Sequence, residues 1–342
     1  MNIQSRNPGR LSRLAGLAVL SLALASGCAR AETSQVRIGY QFGFQYVPLM
    51  VMKHKHLLEK YAAQAGIPNL HVTWLQFSGG GNMNDALLSG SIDFGELGVG
   101  PFVQMWAKTR KNMDVRAVSA TGSMPMVLTS SNPKVKSLRD LSDQDRIALP
   151  TVKSSMQAVT LELAASKIWG EKNYGRLDKL TVSMKHPDAA MAMLAGKAGI
   201  TAHFTVPPFS TQELQSPRIH KVLDSYEVYG GPATINVIYA TRKFHDSNPK
   251  TYGAFLAALK EATTIAQNDR KTAAQVFMQD AKTRMDPALI DKVLSSPDIH
   301  YTVVPNATLK LAQFMARIGI VAQAPTSWKD MFFPEIHDQP GS

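Results

Sequence analysis

Cysteine is almost absent from this chain of 342 residues, because Cys28 is the only one. An intramolecular disulfide is therefore impossible, and the body of the chain has no thiol for a nucleophile or a metal site. The glycine run at 79–81 lacks the Gly-Lys-Ser/Thr ending of a nucleotide P-loop, and the nucleophile turn Gly-x-Ser-x-Gly does not occur. These absences predict a protein that is not an enzyme, with no catalytic residues, no metal and no cofactor.

Blocks of like charge, low-complexity linkers and repeats at solenoid spacing are missing as well. The formal net charge is +11, and without the four arginines of residues 1–31 the rest of the chain keeps about +7. A basic body favours anionic solutes or an anionic membrane surface, although a solvated, lysine-rich surface explains the same charge. The lack of basic and aromatic interleaving argues against nucleic acid as a partner.

Residues 1–31 have the pattern of a secretory signal peptide. Arg6, Arg10 and Arg13 form a basic start, and the apolar run at 14–24 is too short to span a bilayer. Small residues follow this run, as they do before a cleavage site.

Two cleavage sites compete at the end of this leader. Ala29-Arg30-Ala31 suits ordinary signal peptidase, whereas Ala25-Ser26-Gly27-Cys28 resembles a lipoprotein box, although alanine stands at 25 where leucine is usual. The sequence thus predicts a periplasmic protein that is either soluble or lipid-anchored through Cys28.

The body of the chain has a repeated strand and helix rhythm, and 44% of all residues are hydrophobic. Val36–Tyr40 predicts a strand, Pro48–Ala65 a helix and Leu70–Phe77 a second strand, an order that favours parallel pairing with a right-handed crossover. The length exceeds what one small core needs, so two α/β lobes are expected. We place lobe one at 35–122 plus 229–342 and lobe two at 123–228.

The most informative stretch runs from Gln76 to Phe102. A turn at 78–81 and another at 98–101, both rich in glycine, each precede a helical pattern, and Ile92–Gly95 between them predicts a short strand. Strand-to-helix turns of this kind expose backbone N–H groups at the positive end of a helix dipole, where an anionic group binds well. Two such turns so close in sequence indicate one cleft.

The segment Gly90-Ser91-Ile92-Asp93-Phe94-Gly95, with Gly39-Tyr40 upstream and Pro101 downstream, resembles periplasmic solute-binding proteins of ABC importers. The similar family is that of nitrate, sulfonate and taurine uptake, which is related to the thiamine-pyrimidine precursor binding proteins. The resemblance implies the type II periplasmic binding fold, in which two lobes, each a mixed, mostly parallel sheet flanked by helices, close over one solute. It also implies an ABC permease in the inner membrane as the partner. The sequence gives no sign of obligate oligomerisation, so a monomer is expected.

Candidate ligand-binding residues follow the carboxyl ends of the predicted strands, where α/β sheets form their crevices. The resemblance implies the same loops. The candidates are Phe42, Phe44 and Gln45; Ser78, Gly79 and Gly80; Gly98 and Val99; Ser154, Ser155 and Gln157; and His203, Phe204 and Thr205.

Several of these candidates have a second interpretation. Lys153-Ser154-Ser155 is similar to the family's Gly-Ser-Ser turn, yet serine hydroxyls at a helix start also serve as caps. His203 at a strand end suits a structural hydrogen bond as well as a ligand. Phe42, Phe44, Tyr46 and Phe204 fit either an apolar wall against a ring or alkyl chain, or the lobe core.

The expected function is capture of a small organic anion, such as an aliphatic sulfonate, in the cleft between the lobes. A neutral or heterocyclic vitamin precursor is the alternative that the aromatic residues and His203 favour. The cysteine-rich motif on which the thiamine-pyrimidine synthases of the wider group depend is missing. A solute sensor that reports to a membrane receptor is the third hypothesis.

Overall fold

A computed structural model describes residue 1, residues 31–283 and residues 285–342. Cys28 and both cleavage motifs lie outside the described residues except for Ala31, so the leader and its processing stay predictions. The chain from Thr33 to Ser342 forms one compact unit. Within the described ranges, no helix combines the length and the apolar character needed to cross a bilayer.

The described chain contains ten strands and thirteen α-helices. The strands are β1 (Gln35–Tyr40), β2 (His71–Gln76), β3 (Phe94–Gly98), β4 (Arg116–Ser123), β5 (Val127–Ser130), β6 (Ile147–Leu149), β7 (Thr181–Ser183), β8 (Ala202–Thr205), β9 (His220–Asp224) and β10 (Thr234–Ala240). The helices are α1 (Val47–His54), α2 (Leu57–Gln64), α3 (Gly80–Leu88), α4 (Val99–Thr109), α5 (Met156–Trp169), α6 (His186–Ala195), α7 (Phe209–Leu214), α8 (Ser225–Tyr229), α9 (Arg242–Ser247), α10 (Pro249–Asn268), α11 (Arg270–Ala281), α12 (Pro287–Leu294) and α13 (Thr308–Arg317).

The strands of the described chain form two five-stranded sheets, ordered β2-β1-β3-β10-β4 and β7-β6-β8-β5-β9. In each sheet four strands share one direction and a single strand, β10 in the first sheet and β5 in the second, runs antiparallel to both of its neighbours. The chain leaves the first sheet after β4 and returns to it at β10, so every strand of the second sheet lies between these two crossings. The exact boundaries of the two lobes stay a prediction.

Two local expectations are wrong. The single helix expected to reach Ala65 is divided into α1 and α2, because His56 adopts the left-handed conformation with φ of 51°. The strand expected at Ile92–Gly95 begins two residues later and extends to Gly98. Asp93 precedes it in a loop, where its carboxylate accepts hydrogen bonds from the Arg37 guanidinium at 2.9 and 3.0 Å.

Glu96 lies at the centre of the first sheet and is completely buried. Its Oε1 accepts hydrogen bonds from Oγ1 of Thr121 at 2.9 Å and from the side-chain nitrogen of Asn236 at 3.2 Å. Its Oε2 has no partner among the described residues. Burial raises the pKa of Glu96 to about 8, because the two hydrogen bonds offset only part of the desolvation. The carboxyl is therefore mostly protonated at neutral pH.

This burial predicts a pH-dependent stability. The pKa of Glu96 is about 8 in the folded protein against 4.5 ordinarily, so unfolding between these values releases a proton, and stability falls as pH rises. In Glu96→Gln, the free energy of unfolding should fall less steeply between pH 5 and 8, by up to about 1.4 kcal/mol per pH unit. Urea unfolding at several pH values measures this difference. Glu227→Gln, which changes an exposed carboxyl, is the control, and parallel curves for Glu96→Gln and the unsubstituted protein would contradict the prediction.

Candidate functional site

A polar cavity of about 30 Å³ lies where elements of the two sheets meet. From the first sheet and its connections it is lined by Gln41, Phe42, Gln45, Tyr46, Ser78, Gly80, Gly98, Pro101, Ile235 and Asn236. From the elements of the second sheet it is lined by Pro150, Ser155, Met156, Gln157 and His186. One water requires about 10–15 Å³ of such free volume, so the cavity has room for about two waters. A larger solute can enter only if the two sides separate.

In the described part of the chain, four α-helices begin at this cavity. They are α3, α4, α5 and α6, whose first residues or N-caps are on its wall. The N-cap of α1, Tyr46, is also on the wall, but α1 continues a 3₁₀ helix at Phe44–Tyr46 and does not start freely there. The first N–H groups of a helix have no partner within the helix, and the helix dipole places positive charge at the same end. Of the four N-caps, only Ser155 accepts a backbone N–H with its side chain, that of Ala158 at 3.2 Å. The cavity therefore offers several backbone donors to one small volume.

Three glycines make this close approach of the two sides possible. A methyl group built on Gly98 would lie 2.7 Å from Cβ of Met156, and one on Gly79 would lie 2.7 Å from Oγ1 of Thr151. A methyl group on Gly100 would lie 3.0 Å from a methyl carbon of Val159. Normal carbon contacts are about 3.5–4.0 Å, so side chains at these positions would hold the two sides apart. The glycine-rich stretch thus forms the contact surface between the two sides.

The side chains of the described lining residues include no Asp, Glu, Lys or Arg. Behind the wall, Asn236 links the cavity to Glu96, which is mostly protonated at neutral pH. Burial also raises the pKa of Tyr46, so its phenol keeps its proton. Gln45 is buried and its Oε1 has no partner among the described residues, so this oxygen can still accept a hydrogen bond.

A larger and more apolar groove of about 380 Å³ lies next to the polar cavity, and Phe42 lines both. Its wall also draws on both parts of the molecule, including Met50 and Phe277 from one side and Met191 and Phe209 from the other. Methionine and aromatic side chains adapt to apolar ligand surfaces of varied shape. The groove is thus suited to the apolar part of a molecule whose polar end lies in the cavity.

Seven of the fourteen predicted site residues line the cavity: Phe42, Gln45, Ser78, Gly80, Gly98, Ser155 and Gln157. Gly79 and Ser154 flank it along the chain, and Val99 is buried in the first turn of α4. Phe44 packs edge-on against Phe277 with ring centroids 4.4 Å apart. Whether any of the fourteen contacts a ligand stays a prediction.

The segment His203-Phe204-Thr205 is completely buried, one layer behind the cavity wall. Among the described residues, His186 connects His203 to the wall, with Nδ1 of His186 2.9 Å from Nε2 of His203. The side chain of Thr205 lies 3.3 Å from the same Nδ1. Phe44 and Phe204 belong to the core, so Phe42 and Tyr46 are the two of the four proposed wall aromatics that line the cavity.

The wall also contains residues that the sequence reasoning did not select. They are Gln41, Pro101, Pro150, Met156, His186, Ile235 and Asn236. His186 follows a strand and begins a helix, so the rule that selected Ser155 and Gln157 applies to it equally. Ile235 and Asn236 lie within β10, which runs antiparallel to its neighbours, so no local turn indicated their place.

Comparison with known proteins agrees with this architecture. An aliphatic sulfonates-binding protein of Escherichia coli (strain K12) is 30% identical over 128 residues, 37% of this chain and 37% of that protein. The alkanesulfonate-binding protein SsuA from Xanthomonas axonopodis pv. citri, bound to MOPS, superposes with a TM-score of 0.67 at 20% identity, covering 86% of this chain and 96% of that one. The periplasmic nitrate-binding protein NrtA from Synechocystis PCC 6803 gives 0.66 at 16% identity, covering 88% and 84%.

At these identities the superpositions establish the fold, and the expected α/β class of periplasmic binding proteins is confirmed. The sequence relative is matched over only 37% of its length. The resemblance to solute-binding proteins of ABC importers that the sequence indicated is also confirmed. The model of the NMT1-like family matches residues 29–279, most of the chain, and the chain therefore belongs to the NMT1-like family.

Proposed function

We propose that this protein is the extracytoplasmic solute-binding component of an ABC importer and captures a small organic anion, such as an aliphatic sulfonate. The observation that carries the proposal is the polar cavity, which draws its wall from both sheets and at which four described helices begin. A sulfonate has three acceptor oxygens and a single negative charge. Backbone and amide N–H groups at helix starts match such a group, and they bind it without a fixed counter-charge.

The electrostatics of the wall support a singly charged anion. The described lining side chains have no carboxylate that would repel it, and Glu96 behind Asn236 is mostly protonated at neutral pH. The described wall also has no lysine or arginine, the residues expected around a doubly charged phosphate. The neighbouring groove of about 380 Å³ favours an organic anion over nitrate, because it can accommodate an apolar chain attached to the charged group.

Capture requires two lobes that separate and close again, because the cavity has room for only about two waters. The polypeptide crosses between the sheets twice, at residues 124–126 and 230–233, and these short segments are the proposed hinge. A solute that binds donors from both sides stabilises the closed form and shifts the population towards it. The closed form then docks on an ABC permease, a step that rests on the resemblance.

The same proposal includes a periplasmic location and a binding role without catalysis. The predicted signal peptide and the periplasmic proteins named above favour the periplasm, with or without a lipid on Cys28. The protein binds its solute without chemical change. A neutral or heterocyclic solute is the second candidate, because the rings of Phe42 and Tyr46 lie on the cavity wall and offer surfaces for stacking.

Calorimetry with a panel of solutes tests the proposed ligand class. Aliphatic sulfonates should give saturable heat at micromolar concentrations, while nitrate, carboxylates and a neutral pyrimidine should bind more weakly. Gln157→Ala should weaken sulfonate binding by about 5- to 150-fold, because losing a buried hydrogen-bond partner costs about 1–3 kcal/mol. Gln144→Ala, at an exposed glutamine, is the control. Tighter binding of the pyrimidine would favour the second candidate, and no saturable heat with any anion would overturn the first.

A glycine substitution away from the cavity wall tests closure. Gly100→Ala places a methyl group 3.0 Å from Val159, so overpacking should cost the closed form about 1–3 kcal/mol and weaken binding by about 5- to 150-fold. Thermal stability without solute should stay equal or rise, because alanine favours a helix by about 0.5–1 kcal/mol over glycine.

Gly253→Ala is the matched control for this experiment, since Gly253 also lies in a helix and nothing stands within 4 Å of the added methyl group. It should gain the same helix stability and bind with unchanged affinity. Equal affinities for the two variants would show that closure does not bring Gly100 against Val159.

A further inference from the structure

A chain of three buried ionisable side chains leads from the cavity into the second sheet. His186, at the start of α6, lines the cavity and places its Nδ1 2.9 Å from Nε2 of His203 on β8. Nδ1 of His203 lies 2.6 Å from Oε1 of Glu213 on α7. His203 and Glu213 are completely buried and His186 is 4% exposed. We call these three residues the histidine relay.

Both ends of the relay are held by further hydrogen bonds. The hydroxyl of Thr129 donates to Oε2 of Glu213 at 2.6 Å. At the cavity end, Nε2 of His186 lies 3.2 Å from the side-chain nitrogen of Gln157, which also lines the cavity. Every ring nitrogen of the two histidines thus has a hydrogen-bond partner, and the protons along the relay must be arranged in a matching order.

The relay has two consistent proton arrangements that differ by one proton. With a neutral His203, Nδ1–H donates to Glu213, Nε2 accepts from Nδ1–H of His186, and Nε2 of His186 is an acceptor facing Gln157. With His203 as an imidazolium, its Nε2–H donates to Nδ1 of His186, and His186 then bears its proton on Nε2. One added proton therefore converts His186 from an acceptor into a donor at the cavity wall.

The surrounding charges determine which group takes the added proton. Glu213 faces His203 directly, whereas burial and the neighbouring His203 lower the pKa of His186 well below its usual value. In the arrangement with the added proton, that proton therefore lies on His203, beside the Glu213 carboxylate. Lys185 and Asp188, at the exposed start of α6, pair with each other at 3.4 Å. Thr129, Thr205 and Gln157 complete the surroundings with neutral groups.

We propose that His186 contacts the captured solute and that its hydrogen-bonding polarity is set by His203 and Glu213, so that binding an anion takes up one proton. This inference rests on the proposed capture of an anion. The proton moves from solvent to His203, and Nε2–H of His186 donates to an oxygen of the anion. The amide of Gln157, released from the acceptor nitrogen, can turn its own N–H groups towards the anion. His203 and Glu213 are positioning residues in this scheme.

A pH-stat tests whether binding takes up a proton: it counts the protons consumed while the protein is titrated with a sulfonate that calorimetry has shown to bind. The solution should be unbuffered chloride at pH 6–7, because sulfonate buffers would compete and Glu96 already holds its proton there. Uptake should approach one proton per bound anion. Over the pH range in which uptake is seen, the affinity should fall by about tenfold for each unit by which the pH rises, because one proton is linked to binding.

Two variants separate the relay from other histidines. Glu213→Gln removes the carboxylate that stabilises the imidazolium, so proton uptake and the pH dependence of affinity should both disappear. His71→Gln, at an exposed histidine at the start of β2, should leave both unchanged. Equal uptake in Glu213→Gln and in the unsubstituted protein would overturn the proposal.

Nitrogen-15 NMR of the imidazole rings gives a readout that needs neither a ligand nor a variant. As pH falls, His203 should take up a proton and His186 should move its proton from Nδ1 to Nε2 in the same step. If no anion binds, the proposed function fails and this titration still decides on the relay. If anions bind but His186 keeps one tautomer while His203 titrates, the relay inference fails and the proposed function stands.

Discussion

Close contact between the glycine backbone of one side and the residues at the start of α5 on the other is the constraint on which the site depends. Helix starts can present their N–H groups to one small volume only if no side chain keeps them apart, and Gly79, Gly98 and Gly100 provide this freedom. The partners on the other side are Thr151, Met156 and Val159, all next to or within the start of α5. The glycines therefore determine how closely the two sides approach, and through that distance how many donors one solute can reach.

A site built from neutral donors has a different selectivity from one built on lysine or arginine. Fixed cations attract every anion, and more strongly the higher its charge, whereas oriented N–H groups reward an acceptor of the right size and position. Burial also removes a negative charge that would repel an anion, because Glu96, which accepts a hydrogen bond from the wall residue Asn236, stays mostly protonated at neutral pH. In the proposed capture of an anion, the positions of the donors and the protonation of buried groups would therefore select the solute more than fixed charge does.

The sequence predicted the parts of the fold and of the wall that depend on local order. Strand and helix alternation indicated the α/β class, and the residues after β2 and β3 could be selected because parallel strands end at one edge. Asn236 could not be found in this way, because it lies inside an antiparallel strand that returns to the first sheet after more than a hundred residues. Its place at the cavity depends on pairing that no local pattern records.

The same reasoning explains why the aromatic residues were ambiguous. Residues 42–46 form a bend followed by a 3₁₀ helix at Phe44–Tyr46, so no strand or helix period in the sequence indicates which of these aromatics lie on the wall and which enter the core. Phe42 is on the wall and Phe44 packs against Phe277. In β8, His203 and Thr205 face His186 while Phe204 between them enters the core, so the composition of the segment alone did not identify its polar face.

In the proposed capture of a solute, closure and the histidine relay have different parts. Closure needs both sides of the cavity, because the backbone donors come from α3 and α4 on one side and from α5 and α6 on the other. The relay lies entirely within elements of the second sheet, so its proton arrangement can be set before the two sides meet. A solute that first docks on the second side would meet His186 and Gln157 in their final polarity. Closure would then add the donors of the glycine-rich stretch to a complex whose charge is already matched.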